Sequence, residues 1–364
     1  MENEKSQKEQ QYDNYWKLTV EYSDIHGVLF YNILNSIVKF IDENDFLNGD
    51  CTIEQYKKLQ NKINQLNPKK DMGSVRKSIN QFIKLGFVKP KFKGYHKLTK
   101  QFLRTNDEKE RELIFTQIFY ESASLNSSYN NDSTDSKEVN FLLKTLEYNG
   151  KLTKNDLMGL MVTDVSKFSR GYLKQEELNL QYQYALSINF DEKKYNQINY
   201  LIRFLKYMPD LSYKDGILEF TDGKCELRAD MTEFKRDPIL MRIYRKKLFD
   251  ESQNVYGRIV CYACKLPWKA LVASHIKPLA ECLKEQKTIE AYNKDNGLLL
   301  SPNVDAYFDK FDISFDENGK IMMGRNVDAE IVEVMKDYCL DSVIMTKERM
   351  EFMEYHRNIY RSKQ

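Results

Sequence analysis

The 364-residue chain carries 56 Lys and Arg against 54 Asp and Glu, a formal net charge of +2, and 41% hydrophobic residues. This balance excludes a polycation and a long disordered chain, and it allows two or three domains with cores of their own. Any affinity for a polyanion must therefore come from charge gathered on one surface. Six cysteines (Cys51, Cys225, Cys261, Cys264, Cys282, Cys339) are too scattered for a disulfide scaffold. The first eleven residues are polar, and no apolar run reaches the roughly 18 residues of a membrane span. A soluble cytoplasmic protein with reduced thiols is expected, with no membrane partner.

In chain order, residues 1–22 read as a polar lead-in. Between Gly27 and Glu43, Leu29, Phe30, Ile33, Leu34, Ile37, Val38 and Ile41 recur at helical spacing. Thr52 can cap a second helix that runs to Leu66 and breaks at Asn67-Pro68. Ser74 can cap a third, with Val75, Ile79, Phe82 and Ile83 inward and Lys77, Asn80, Gln81 and Lys84 on the other face. From Phe87 to Leu98, apolar and basic residues alternate around Gly94, the pattern of a β-hairpin. Three helices and a basic hairpin resemble a winged helix-turn-helix over residues 1–123. Lys69 to Arg104 holds eleven basic residues and one acid, Asp71. Such an excess suits phosphate contacts, and carboxamides can read adenine edges. Arg76, Lys77, Asn80, Gln81, Lys84, Lys91 and Lys93 are thus candidate DNA contacts; a solvated basic face is the plainer alternative.

A helix is expected over 108–122. Residues 124–136 (SLNSSYNNDSTDS) read as a linker. A second winged-helix-like domain is expected over 137–232. One of its helices is lined by Val139, Leu142, Leu143 and Leu146. Thr153 caps the next, a further helix spans 193–208, and a hairpin over 211–220 has Asp215-Gly216 at its tip. It reads either as a second DNA reader or as a spacer. Residues 233–364 form the last domain. It opens on a helix with Arg242, Arg245, Lys246 and Lys247, a candidate clamp on a phosphate backbone.

The densest chemistry follows. Ala273-Ser274-His275-Ile276-Lys277-Pro278 is succeeded by Asn296-Gly297-Leu298-Leu299-Leu300-Ser301-Pro302, then by Asp305 and Phe308-Asp309. Over 261–319 this order resembles the HNH (ββα-metal) endonucleases. The resemblance implies that His275 is the general base, that Asn296 ties the loop, and that the helix residue nine positions later, Asp305, is a metal ligand. A neutral imidazole suits proton abstraction near pH 7, and a hard divalent ion suits a phosphodiester. A carboxylate at 305 favours Mg²⁺ or Mn²⁺. Many family members place an Asp before the base; here Ser274 stands there and is the second ligand candidate, with Asn303 and Asp309 in reserve. Cys261 and Cys264 make half of the zinc knuckle found in some relatives. The second pair is absent, so structural Zn²⁺ is not expected. Lys265, Lys269 and Lys277 are candidate phosphate contacts.

The expected architecture is α+β: mostly helical DNA-reading domains followed by a ββα-metal domain. That combination resembles a restriction endonuclease acting on double-stranded DNA, with cleavage offset from the recognition site as in type IIS enzymes. Such an enzyme goes with a transient homodimer on DNA and a methyltransferase encoded nearby. Two other readings stay open: a nuclease that requires a modified base, and a DNA-binding regulator whose HNH fold has lost its activity.

Overall fold

Capping side chains fix where the N-terminal helices begin. Thr52 Oγ1 accepts from Gln55 N, and Gln55 reaches back to Thr52 N, a reciprocal cap that opens α2 (Ile53–Leu66). Asp71, not Ser74, caps α3 (Met72–Lys84): its carboxylate accepts from Ser74 N at 2.9 Å. Aspartate wins because it offers two ionised acceptors to the first turn. The computed structural model describes residues 16–221 and 237–364, except 45, 47 and 48, and at 191–195 the backbone alone. Two compact units divide the chain at residues 230 and 231.

In the first unit, α1 (Val28–Asp42), α2 and α3 pack around Phe30, Phe82, Phe87 and Phe102, whose nearest ring pairs are 4.8 Å apart. Residues 16–22, expected as part of a polar lead-in, are built into this unit. Trp16 is buried, with its indole nitrogen donating to Thr163 O at 2.8 Å. The expected hairpin over 87–98 shrinks to one bridge, Val88 to Tyr95, around a single turn of 3-10 helix at Pro90–Phe92. Pro90 has no amide to donate, and Phe92 turns into the core at positive φ, so no ladder can extend there. Two further helices follow, α4 (Thr99–Arg104) and α5 (Glu108–Ser122), the latter capped by Asp107.

The Ser/Asn-rich segment 124–136 lies inside the first unit. Ser124 N donates to Lys84 O, Leu125 N to Glu138, and Tyr129 N to Asn80 Oδ1, each at 2.9–3.0 Å. The Tyr129 ring stacks on Tyr56 at 3.9 Å. Its polar composition supplies internal hydrogen bonds as well as solvation, and composition alone does not separate the two.

Next come α6 (Glu138–Asn149), β1 (Lys151–Thr153), α7 (Lys154–Met161), α8 (Gln175–Ser187) and α9 (Phe190–Leu205). The hairpin β2 (Leu211–Lys214) and β3 (Ile217–Phe220) turns at Asp215-Gly216, both at positive φ. β1 joins its free side, giving the antiparallel order β1-β3-β2.

The second unit begins with α10 (Pro238–Tyr256), capped by Asp237, and contains the strand pair β4 (Val272–His275) and β5 (Gly297–Leu300). Between these strands lie α11 (Leu279–Lys284) and α12 (Thr288–Ala291). Helix α13 (Pro302–Phe308) follows β5 directly, with Ser301 Oγ as its cap. The pair β6 (Ile313–Phe315) and β7 (Ile321–Met323), then α14 (Ala329–Met335) and α15 (Lys347–Lys363), complete the unit. The fold is α+β. Among the described residues, no helix is long and apolar enough to cross a membrane.

Candidate active site

The register of two short strands sets the site. β4 runs antiparallel to β5 with His275 opposite Gly297 and Ser274 opposite Leu298. β5 is wholly buried, which explains its continuous Gly-Leu-Leu-Leu run. Pro302 then starts α13, whose first turn carries Asp305 and whose C-cap is Asp309.

Asn296 locks the loop that returns to β5. It is fully buried. Its Oδ1 accepts from Lys277 N at 2.7 Å, and its Nδ2 donates to Lys277 O and Glu290 O, both at 3.1 Å. One carboxamide thus satisfies three backbone groups on two segments, which a hydroxyl or carboxylate cannot do.

His275 sits at the end of β4. Its Nε2 lies 3.0 Å from Ala291 O. A carbonyl only accepts, so that nitrogen carries the proton and Nδ1 is the basic one. Beneath the imidazole lies Tyr244, which is buried, with ring centroids 4.5 Å apart and planes 14° apart. The Tyr244 hydroxyl donates to Ser274 O and Asn296 O, each at 3.1 Å. Burial raises its pKa well above the usual phenol value, so it stays a donor.

One cleft of about 370 Å³ gathers these groups. Its walls include Ser274, His275, Asp305, Asp309, Phe311 and His356. Asp305 and Asp309, four residues apart, present carboxylates on one face of α13. The buried Ser274 hydroxyl lies 3.5 Å from Asp309 Oδ1. Among the described residues, no group of three or more His, Cys, Asp or Glu side chains is gathered closely enough to hold a metal ion by itself. The donor set nevertheless fits Mg²⁺ or Mn²⁺. Such ions are commonly held by one or two carboxylates, with waters and substrate phosphate oxygens in the other positions.

This ββα arrangement and its three motifs coincide with a family. Residues 261–316 match a family model described as HNH endonuclease. That stretch is an HNH endonuclease domain. No curated protein matches the chain.

Around the HNH core, the structure distributes the other candidates unevenly. Lys277 is not displayed to solvent. Its ammonium lies 2.7 Å from Glu285 and 3.7 Å from Glu290, above the Tyr355 ring. Burial is the largest influence and opposes its charge, but Glu285 and Cys282 together raise its pKa above the usual lysine value. Cys261 is buried and Cys264 half-buried, both as thiols, and Trp268 Nε1 lies 3.4 Å from Cys264 Sγ. Beside them, Lys265 donates to Tyr262 O at 2.5 Å and to Cys339 O at 2.7 Å, and pairs with Asp341 at 3.1 Å. That one ammonium joins the 261–266 turn to the 339–341 segment.

On the first unit, Arg76, Lys77 and Lys91 are exposed. Lys93 is tied to Asp50 at 3.0 Å. Gln81 and Lys84 do not present themselves to DNA. Gln81 is fully buried and grips the 21–22 segment, accepting from Glu21 N and Tyr22 N and donating to Tyr22 O. Lys84 is buried against Leu125 O at 2.5 Å, and desolvation brings its pKa down to about 8. Asn80 Oδ1 is held by Tyr129 N. Polar residues on the outer face of an amphipathic helix were expected in water; here the 16–22 and 124–136 segments cover that face.

Sequence reasoning missed three contributors. Tyr244 stacks beneath the His275 imidazole. His356 walls the cleft. Arg349, fully buried, donates to Gly297 O at 3.0 Å and pairs with Glu251 at 2.8 Å. Each lies far from the motif in sequence, and no local spacing marks it.

Proposed function

We propose that the protein is a sequence-specific endonuclease for double-stranded DNA, of the type II restriction kind, with His275 as general base and Asp305 and Asp309 holding a divalent ion, Mg²⁺ or Mn²⁺. The observation that carries this reading is the convergence of His275, Asp305 and Asp309 on one cleft within an HNH domain. The bound ion would neutralise phosphate charge and stabilise the departing 3′-oxygen. His275 takes a proton from water at Nδ1, with its orientation set by Ala291 O and the Tyr244 ring. The hydroxide so formed attacks phosphorus as the bond to the 3′-oxygen breaks. Asn296 and Tyr244 keep the two strands in register and so keep the base at its place.

A helical unit of 230 residues ahead of the nuclease supports recognition at a defined sequence. A cytoplasmic location, a partner methyltransferase and transient pairing of two chains on DNA, one for each strand, belong to the same reading. Cleavage displaced from the recognition site, in the type IIS manner, is the finer version of it. Incubation with Mg²⁺ and plasmids of known sequence, with and without methylation, tests the proposal. Discrete fragments from unmethylated DNA are expected. Cutting of methylated DNA alone would transfer the proposal to a modification-dependent nuclease. No cutting of either would leave the regulator.

A further inference from the structure

With Gln81 and Lys84 buried, the base-reading chemistry expected on α3 has to lie elsewhere. The first unit holds a polar groove of about 520 Å³ between the 19–23 segment, α3 and α9. Its walls carry Lys77 from α3 and Asn196, Gln197, Tyr200 and Arg203 from α9. Residues 196, 200 and 203 fall at i, i+4 and i+7, one stripe of the helix, with 197 beside it. Ile198, Leu201, Phe204 and Leu205 form the opposite, buried stripe. The polar stripe is therefore left over after the core has been satisfied. Asn196 and Arg203 are exposed, and Gln197 and Tyr200 half-buried.

We infer that this stripe of α9 reads nucleobase edges of the target DNA; the inference rests on the nuclease reading above and deepens it. The chemistry of the groove matches such a ligand. Carboxamides make paired donor and acceptor contacts to adenine, a guanidinium does so to guanine, and a tyrosine ring offers apolar contact or stacking to a base. Lys77 faces the same groove and can meet a neighbouring phosphate. The groove is short of one partner: Gln197 Oε1 is buried and makes no hydrogen bond among the described residues. A buried acceptor of this kind is unfavourable unless something donates to it, and a base amino group would. Arg203 spends one donor on Ser23 Oγ at 3.3 Å and has four more. Glu21, the acid on the wall, is neutralised by Lys69 at 3.1 Å.

The test is selection of bound duplexes from a random-sequence library by the full chain in EDTA, where metal-dependent cutting is off. Wild type should enrich a defined motif. Gln197→Ala and Asn196→Ala should relax one or two positions of it, with base discrimination there falling about 5- to 150-fold. Lys77→Ala should weaken all sequences alike and reduce the salt dependence of binding. Thermal melting confirms that each variant is folded, and Gln197→Glu, of the same shape, repeats the test. Retention of the wild-type motif and affinity in the α9 variants overturns the inference, as does a wild type that enriches no motif. Plasmid cutting with Mg²⁺ is scored separately. A chain that cuts but reads without α9 loses this inference alone, and a chain that reads through α9 but never cuts loses the nuclease reading alone.

Discussion

The imidazole of His275 rests flat on the ring of Tyr244, and the same tyrosine's hydroxyl bridges the carbonyls of Ser274 and Asn296. One side chain from α10 thus supports the imidazole and clasps both strands that carry the motif.

That clasp explains Gly297. A Cβ there would run into the Tyr244 hydroxyl and lie 2.8 Å from its Cζ. Gly297→Ala should cost the second unit about 1–3 kcal/mol, from overpacking. Tyr244→Phe should cost about 1 kcal/mol by removing the donor shared by Ser274 O and Asn296 O, the latter keeping Ile276 N at 3.1 Å. The two are coupled: Gly297→Ala should be milder in the Tyr244→Phe background, because the clashing oxygen is gone. Urea melts of the four proteins of this double-mutant cycle check it; strict additivity would deny the contact.

Tyr244→Ala removes the support under the imidazole as well. Cutting should fall by about 100-fold, the scale expected when a catalytic group shifts by about 1 Å. Single-turnover rates on folded protein measure this, and a rate equal to wild type would remove Tyr244 from the account.

Asn296 has little tolerance for change. Asn296→Asp replaces two donors with a second acceptor in a fully buried position, so Lys277 O and Glu290 O each lose the carboxamide donor and face a carboxylate oxygen instead. A loss of about 3 kcal/mol or more is expected, larger than for an exposed Asn→Asp change. Thermal melting of Asn296→Asp beside an exposed control such as Asn303→Asp provides the comparison.

His356 makes stability pH-dependent. It is held between Ser314 Oγ at 3.0 Å and Phe308 O at 3.1 Å and stacks on Phe308 at 3.9 Å. Burial lowers its pKa from 6.5 to about 4. Between those values the unfolded chain binds the proton and the folded chain does not. Its contribution is therefore fully present above about pH 6.5 and is lost as pH falls toward 4. The loss is on the order of 3 kcal/mol at most. Denaturation midpoints from pH 7 to pH 4 should fall less steeply in His356→Gln than in wild type.

Much of the candidate site was legible because its motif is local. His275, Asn296 and Asp305 fall within thirty-one residues of sequence, and β4, β5 and α13 follow one another with little intervening chain. Asp309, a reserve candidate, lines the cleft because it lies one turn beyond Asp305. Tyr244 and Arg349 were not legible, since each reaches the motif from a helix outside it. The first three helices, α5, α6, α7 and α9 were also readable from periodicity and caps, whereas α4 (Thr99–Arg104) and α8 (Gln175–Ser187) were not. Which polar faces stay wet was not: Gln81 and Lys84 have the sequence signature of an outer face, but the 16–22 and 124–136 segments fold over them. A period of 3.6 shows which residues share a face, and says nothing of what a distant segment lays across it.

Supercoiled plasmid incubated with wild type, His275→Ala and Asp305→Asn, each with Mg²⁺ and with EDTA, tests the central claim most directly. Wild type with Mg²⁺ should convert the plasmid to nicked and linear forms. EDTA should abolish the conversion, and either folded variant should be slower by about 100-fold or more. Cutting by His275→Ala at the wild-type rate, or wild-type cutting that survives EDTA, would contradict it.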